Sequence, residues 1–166
     1  MSIAATARTL AKLLAKHDRK LVCAESCTGG LVSGALTKVP GISAQLCGGV
    51  VVYRNETKTA YLGISSRLLK SHGAVSEIVA QRMAERVLAI TPEADMALSV
   101  TGHLGPHAPP LLDGVVFMGM AVREKSRIST AVQRFDCPAT FNRSQRQQLV
   151  VEEVLKLAIA YLVKMT

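Results

Sequence analysis

A chain of 166 residues, 49% hydrophobic and 19% charged, has material for one ordinary core and is too apolar to be disordered. Aromatic residues make up only 4% and tryptophan is absent, so the core must be aliphatic. A formal charge of +8 points to anionic partners, while the absence of a long apolar run or a signal-like N-terminus excludes a membrane span and predicts a cytoplasmic protein.

Ser2 can cap a first helix, in which Ile3, Ala7, Leu10, Leu13 and Leu14 recur at helical spacing as far as about His17. Lys12, Lys16, Arg19 and Lys20 read as the solvated face and exit of this helix. Leu21 to Ala24 is a short apolar run, the pattern of a fully buried strand. Glu25 to Gly30 is a polar turn, and Leu31 to Thr37 continues as a helix that Pro40-Gly41 breaks. Gly49 to Arg54 reads as a second strand. Asn55 caps a short helix ending at Gly63, Ser65 to His72 forms another, and Gly73 stops it. Ser76 opens a longer amphipathic helix with Val79, Met83, Val87 and Leu88 on one face, ending before Pro92. Ala94 to Val100 is a third strand, and Thr101 to Asp113 is a loop with three prolines. Val115 to Val122 and Ile128 to Phe135 form a closing hairpin around Glu124 to Ser126, and a last helix runs from about Thr140 to Val163. Strands alternating with helices predict an α/β protein, residues 1–166 forming one domain: a three-layer α/β/α sandwich on a mostly parallel sheet with a late antiparallel pair.

Ligands of open α/β sheets bind at the carboxyl ends of the strands. Three segments fall there: Glu25-Ser26-Cys27-Thr28-Gly29-Gly30, Tyr53-Arg54-Asn55-Glu56-Thr57-Lys58, and Thr101-Gly102-His103-Leu104-Gly105-Pro106. In the first, backbone N–H groups between strand and helix can hold a phosphate or a developing oxyanion, with Ser26 projecting into that field. Ser26 and Thr28 are equally consistent with plain helix caps. Lys58 could activate Ser26 if desolvation lowers its pKa, and Tyr53 could relay a proton or orient the lysine; a solvated lysine and a rim tyrosine fit the same letters. His72, His103 and His107 have no carboxylate at a telling position for a triad. His103 and His107 share a loop without the spacing of a third ligand, and the cysteines at 23, 27, 47 and 137 have no ligand spacing, so no metal is expected.

The series Glu25 to Gly30, Val39-Pro40-Gly41, Tyr53 to Lys58, Leu62-Gly63-Ile64, Gly73-Ala74-Val75-Ser76, Val100-Thr101-Gly102 and Gly105-Pro106 resembles the C-terminal domain of the CinA (competence/damage-inducible) family over nearly the whole chain. The resemblance implies a five-stranded mixed sheet in a three-layer sandwich. It also implies a nicotinamide-nucleotide amidase that deamidates nicotinamide mononucleotide to nicotinate mononucleotide and ammonia in pyridine-nucleotide salvage. Carried over by motif, Ser26 is the nucleophile, Lys58 its base and Tyr53 a neighbour. Thr28, Gly29, Gly30, Thr101 and Gly102 line the substrate site, Arg143 faces the phosphate, and neither metal nor cofactor is needed. The chain departs from the family between His103 and Gly114, where bulky leucines and prolines replace glycines and a lysine, and at Gln147, which stands where the family has a second arginine. The rebuilt loop keeps open a second reading, a non-catalytic pyridine-nucleotide-binding or regulatory module. Nucleic-acid binding is disfavoured by the lack of interleaved aromatics and of a DNA-binding motif. Long apolar helix faces permit a homo-oligomer without demanding one.

Overall fold

The computed structural model describes residues 2–125 and 127–165. Its α-helices are α1 (Ile3–Lys16), α2 (Leu31–Thr37), α3 (Asn55–Leu62), α4 (Ser66–His72), α5 (Glu77–Ala89) and α6 (Arg143–Lys164). Its strands are β1 (Leu21–Glu25), β2 (Leu46–Val51), β3 (Met96–Gly102), β4 (Val115–Glu124) and β5 (Arg127–Asp136). The Ser2 hydroxyl accepts the Ala5 N–H at 3.3 Å to start α1, and Ala7, Leu10 and Leu14 form its buried stripe.

The strands form one mixed sheet in the order β2-β1-β3-β4-β5. β1 pairs parallel with β2 and β3, while β4 runs antiparallel to both β3 and β5. The pleat sends alternate residues of β1 to opposite faces. Leu21 and Cys23 join a core with α1, α2 and α6, and Val22 and Ala24 join one with α3, α4 and α5. These are the three layers expected from the alternation of elements. Each fully buried leucine or valine contributes ~1.5–3 kcal/mol relative to exposure, which is how a core without tryptophan suffices.

α5 lies close on the sheet because the residues beneath it are small. The Ser99 hydroxyl donates to the Ala80 carbonyl at 2.6 Å, and a Cβ built on Gly119 would lie 2.6 Å from the same oxygen.

Several boundaries differ from the sequence expectation. β2 starts at Leu46, not Gly49, and ends at Val51, not Arg54. β3 is shifted to Met96–Gly102, from the expected Ala94 to Val100. Asn55 is the first residue of α3 and not its cap; the Thr57 hydroxyl accepts the Arg54 N–H at 3.2 Å. α6 begins at Arg143, not Thr140, because Asn142 caps it: its side chain accepts the Gln145 N–H at 3.0 Å while Gln145 returns an acceptor to the Asn142 N–H at 2.9 Å. The turn expected at Glu124 to Ser126 includes Ser126, which lies outside the described residues.

The parallel strands end on one edge. Connections leaving β1 and β2 pass to opposite layers, so a crevice opens beyond the carboxyl end of β1.

Candidate active site

Ser26 follows β1 directly. Its N–H donates to the Val100 carbonyl at 3.0 Å, tying it to the neighbouring strand, and it is only 7% exposed. The preceding residue determines the shape of the turn. Glu25 is buried, and its two carboxylate oxygens accept five hydrogen bonds at 2.7–3.0 Å, from the Thr28 and Ser33 hydroxyls and the N–H groups of Gly30, Val32 and Ser33. The positive end of α2 and two hydroxyls thus neutralise a carboxylate that has no cationic partner among the described residues. Gly29 and Gly30 have φ of +61° and +96°, a backbone that favours glycine and folds the turn around Glu25.

Thr28, Gly29 and Gly30, expected to line the substrate site, are engaged within the turn itself. Thr28 is fully buried with its hydroxyl on Glu25. The Gly30 N–H is spent on Glu25, and the Gly29 N–H donates to the Ser26 carbonyl at 3.0 Å. Among the described residues, the Cys27 and Thr28 N–H groups are left without a main-chain acceptor.

Lys58 comes from α3, the helix after β2. Its Nζ lies 3.1 Å from Ser26 Oγ and donates to the Val52 carbonyl at 2.9 Å. The residue is 1% exposed. Burial pushes its pKa down to about 8, with the neighbouring Cys27 acting weakly in the other direction. The Cys27 thiol itself is pushed up to about 12, chiefly by burial. Beside Ser26 there is thus an amine that is readily neutral and a thiol that stays protonated.

Ser26, Lys58, Tyr53, Thr101, Gly102 and Arg143 line one cavity of about 210 Å³, with the 103–108 stretch as a further wall. Thr101 is buried, and its hydroxyl donates to the Ala74 carbonyl at 2.8 Å, fastening the chain before α5 to the end of β3. A Cβ on Gly102 would meet Val116 Cγ2 at 2.6 Å, so glycine there answers to packing against β4. Tyr53 is exposed, and its hydroxyl accepts from Arg143 Nη2 at 2.7 Å. Its hydrogen bond is therefore to the rim arginine and not to Lys58. Arg143 Nη1 donates to the Gly105 carbonyl. Both acceptors are neutral, so the guanidinium charge at the pocket mouth is uncompensated by any carboxylate it touches. Burial lowers the pKa of His103, and Asp113 opposes it. No cluster of three or more His, Cys, Asp or Glu able to hold a metal occurs among the described residues.

The sequence model of the CinA C-terminal domain matches residues 3–162. The chain belongs to the CinA C-terminal domain family. A CinA-like protein of Chlorobium limicola is 38% identical over 158 residues, covering 93% of this chain and 36% of that protein. A CinA-like protein of Synechococcus is 39% identical over 149 residues, covering 90% and 35%. The chain spans about a third of the length of these curated relatives. Among solved structures, the competence damage-inducible protein A of Klebsiella pneumoniae superposes with a TM-score of 0.90 at 27% identity, covering 98% of each chain. The competence/damage inducible protein CihA of Agrobacterium tumefaciens gives 0.85 at 31%, covering 95% of this chain and 94% of its own. The mixed five-stranded sheet of this CinA domain is thus the fold of that superfamily. Among its described residues no helix is long and apolar enough to cross a membrane.

The contacts of three residues of the CinA domain escaped the sequence reading, which had marked Gln147 only as a departure from the family. Glu25 looked like one more polar member of a turn. Gln147 Nε2 donates to the Cys27 carbonyl at 3.0 Å and holds the turn after Ser26 from α6. Arg146 pairs with Asp113. The only available signal was periodic: Arg143, Arg146 and Gln147 stand at i, i+3 and i+4, one face of a helix.

Proposed function

We propose that this CinA domain is an amidohydrolase that deamidates nicotinamide mononucleotide to nicotinate mononucleotide and ammonia, with Ser26 as nucleophile and Lys58 as its base. The observation that carries the reading is the buried Lys58 Nζ, 3.1 Å from Ser26 Oγ, with a pKa near 8. A serine needs such a neighbour to attack a carboxamide, and a charged lysine could not accept its proton.

Neutral Lys58 donates to the Val52 carbonyl and accepts the Ser26 proton as Oγ bonds to the carboxamide carbon. The π pair moves onto the carboxamide oxygen, and the Cys27 N–H, next to Ser26 in the cavity wall and without a main-chain acceptor among the described residues, is a donor available to it. The carbonyl re-forms, the C–N bond breaks, and the proton on Lys58 passes to the departing nitrogen as ammonia leaves. Water then adds to the acyl ester while Lys58 takes its proton and returns it to Ser26 Oγ, freeing the carboxylic acid. Arg143 at the mouth binds the phosphate, displacing the two neutral acceptors it holds in the free protein. Tyr53 holds Arg143 at the rim in the free protein and does not relay the proton.

The test is ammonia release from nicotinamide mononucleotide by the full chain and by Ser26→Ala. Release by the parent alone supports the reading. Release by both removes Ser26 from the chemistry, and binding without release by the parent favours the non-catalytic module.

A further inference from the structure

The start of α6 reaches the site at three points from one helix face. Arg143 goes to the rim, Gln147 holds the turn after Ser26, and Arg146 is tied to the pocket wall. Arg146 is only 5% exposed. It presents a fork to Asp113, with Nη1 to Oδ1 at 2.8 Å and Nη2 to Oδ2 at 3.2 Å, and its other N–H groups lean on the Pro138 and Ala139 carbonyls at 3.4 Å.

Asp113 closes the loop whose first half walls the pocket. That loop is folded around the ion pair. A Cβ on Gly105 would lie 3.0 Å from Asp113 Oδ1 and 3.3 Å from Arg146 Nη1, and one on Gly114 would lie 3.6 Å from Arg146 Cζ. Apart from Leu104, whose side chain is buried in the core shared with α6, the loop has few other anchors. Its main chain is pinned at the ends, by His103 N–H to the Val115 carbonyl at 2.9 Å and Gly114 N–H to the His103 carbonyl at 2.8 Å. Between them, the only main-chain pair among the described residues is internal, Leu112 to Pro109. The Gly105 carbonyl, next to the ion pair, is also the one that receives Arg143.

We infer that Arg146 is a positioning residue that sets the width of the substrate pocket by fixing the 103–113 wall, through Asp113, against the helix that holds the nucleophile turn. The inference rests on the reading of Ser26 as nucleophile. A fork held at two oxygens fixes an orientation that a lysine cannot, so Arg146→Lys keeps the charge and loses the geometry.

The experiment compares two serine reagents on the full chain, methanesulfonyl fluoride and the bulkier phenylmethanesulfonyl fluoride, with labelling of Ser26 followed by mass spectrometry. Amide hydrogen exchange over residues 103–114 is measured alongside. In the parent the small reagent is favoured. In Arg146→Lys that preference falls by about tenfold while the small reagent's rate stays within about twofold, and exchange in the loop accelerates. Asp113→Asn, a change at a half-exposed side chain, does the same. An unchanged preference in both variants overturns the inference, as does an equal slowing of both reagents, which is what general loss of structure would give. Labelling of Ser26 without ammonia release from nicotinamide mononucleotide overturns the proposed activity alone and leaves the reagent comparison standing. No labelling of the parent by either reagent overturns both.

Discussion

Lys58 reaches Ser26 from α3 with its amine out of water, and burial leaves it about half neutral near pH 8. On the proposed mechanism, ammonia release rises with pH through about 8, and at about pH 7 it runs roughly tenfold below its plateau, which a pH–rate profile will read. The same burial has a sign for stability. The folded pKa lies below the unfolded value of 10.5, so the unfolded chain holds the proton more tightly. The penalty is full below about pH 8 and disappears as pH rises through the unfolded pKa. Lys58→Met is expected to raise stability by about 2 kcal/mol near pH 7, once the lost hydrogen bonds are counted, and to lose that gain above about pH 10.5. Denaturant titrations at the two pH values check it, and the variant releases no ammonia. Replacing Glu25 is expected to lower stability, because its carboxylate is fully hydrogen-bonded. Glu25→Gln places an NH2 group among five donors, at a cost of about 2–4 kcal/mol by denaturant titration. Ser26 and Lys58 were singled out because each lies in a local motif, although their pairing across 32 residues was implied by the family resemblance and not by the letters alone. Glu25 was not, because its role depends on donors up to Ser33 converging on one buried carboxylate.

The elements hold the site at the distances their packing allows. α5 sits against Ser99 and Gly119, where the Ala80 carbonyl leaves no room for a further carbon. Gly119→Ala must push the helix from the sheet and is expected to cost about 1–3 kcal/mol, measured as a shift in the denaturation midpoint at unchanged slope. Regular helical spacing made α1 and the apolar face of α5 readable in advance. β2 was read late because its first turn of chain does not look like a strand. Leu21 pairs with Leu46 and Val22 with Gly48, so Cys47 is an extra residue, and Gly48 has φ of +145°. A glycine pair beside such a bulge hides a strand start. The start of α6 differed for another reason: Asn142 exchanges capping bonds with Gln145, while Thr140, two residues earlier, is a capping residue type as well. The tie between Arg146 and Asp113 spans 33 residues and has no local signature at all.

At the scale of the molecule, two apolar layers share one five-stranded sheet, and strands β1 and β3 contribute to both. Neither layer can lose its packing without exposing the back of the other, so thermal unfolding is expected as one transition with coincident near- and far-ultraviolet signals. Nicotinamide mononucleotide at about 100 times its Kd should raise the Tm of Ser26→Ala by roughly 5–10 °C, since a ligand that binds only the folded form adds about 2.7 kcal/mol. The layer order followed from the alternation of elements in the sequence, whereas the site's walls depend on which loops that order brings together. Glu25 also governs what else can enter. The N–H groups of Gly30, Val32 and Ser33 at the head of α2 are already taken, so sulfate or phosphate in a buffer finds no cradle behind Ser26. Such ions are left to contend for Arg143 at the mouth, and their inhibition will be competitive toward a phosphorylated amide and negligible toward an uncharged one.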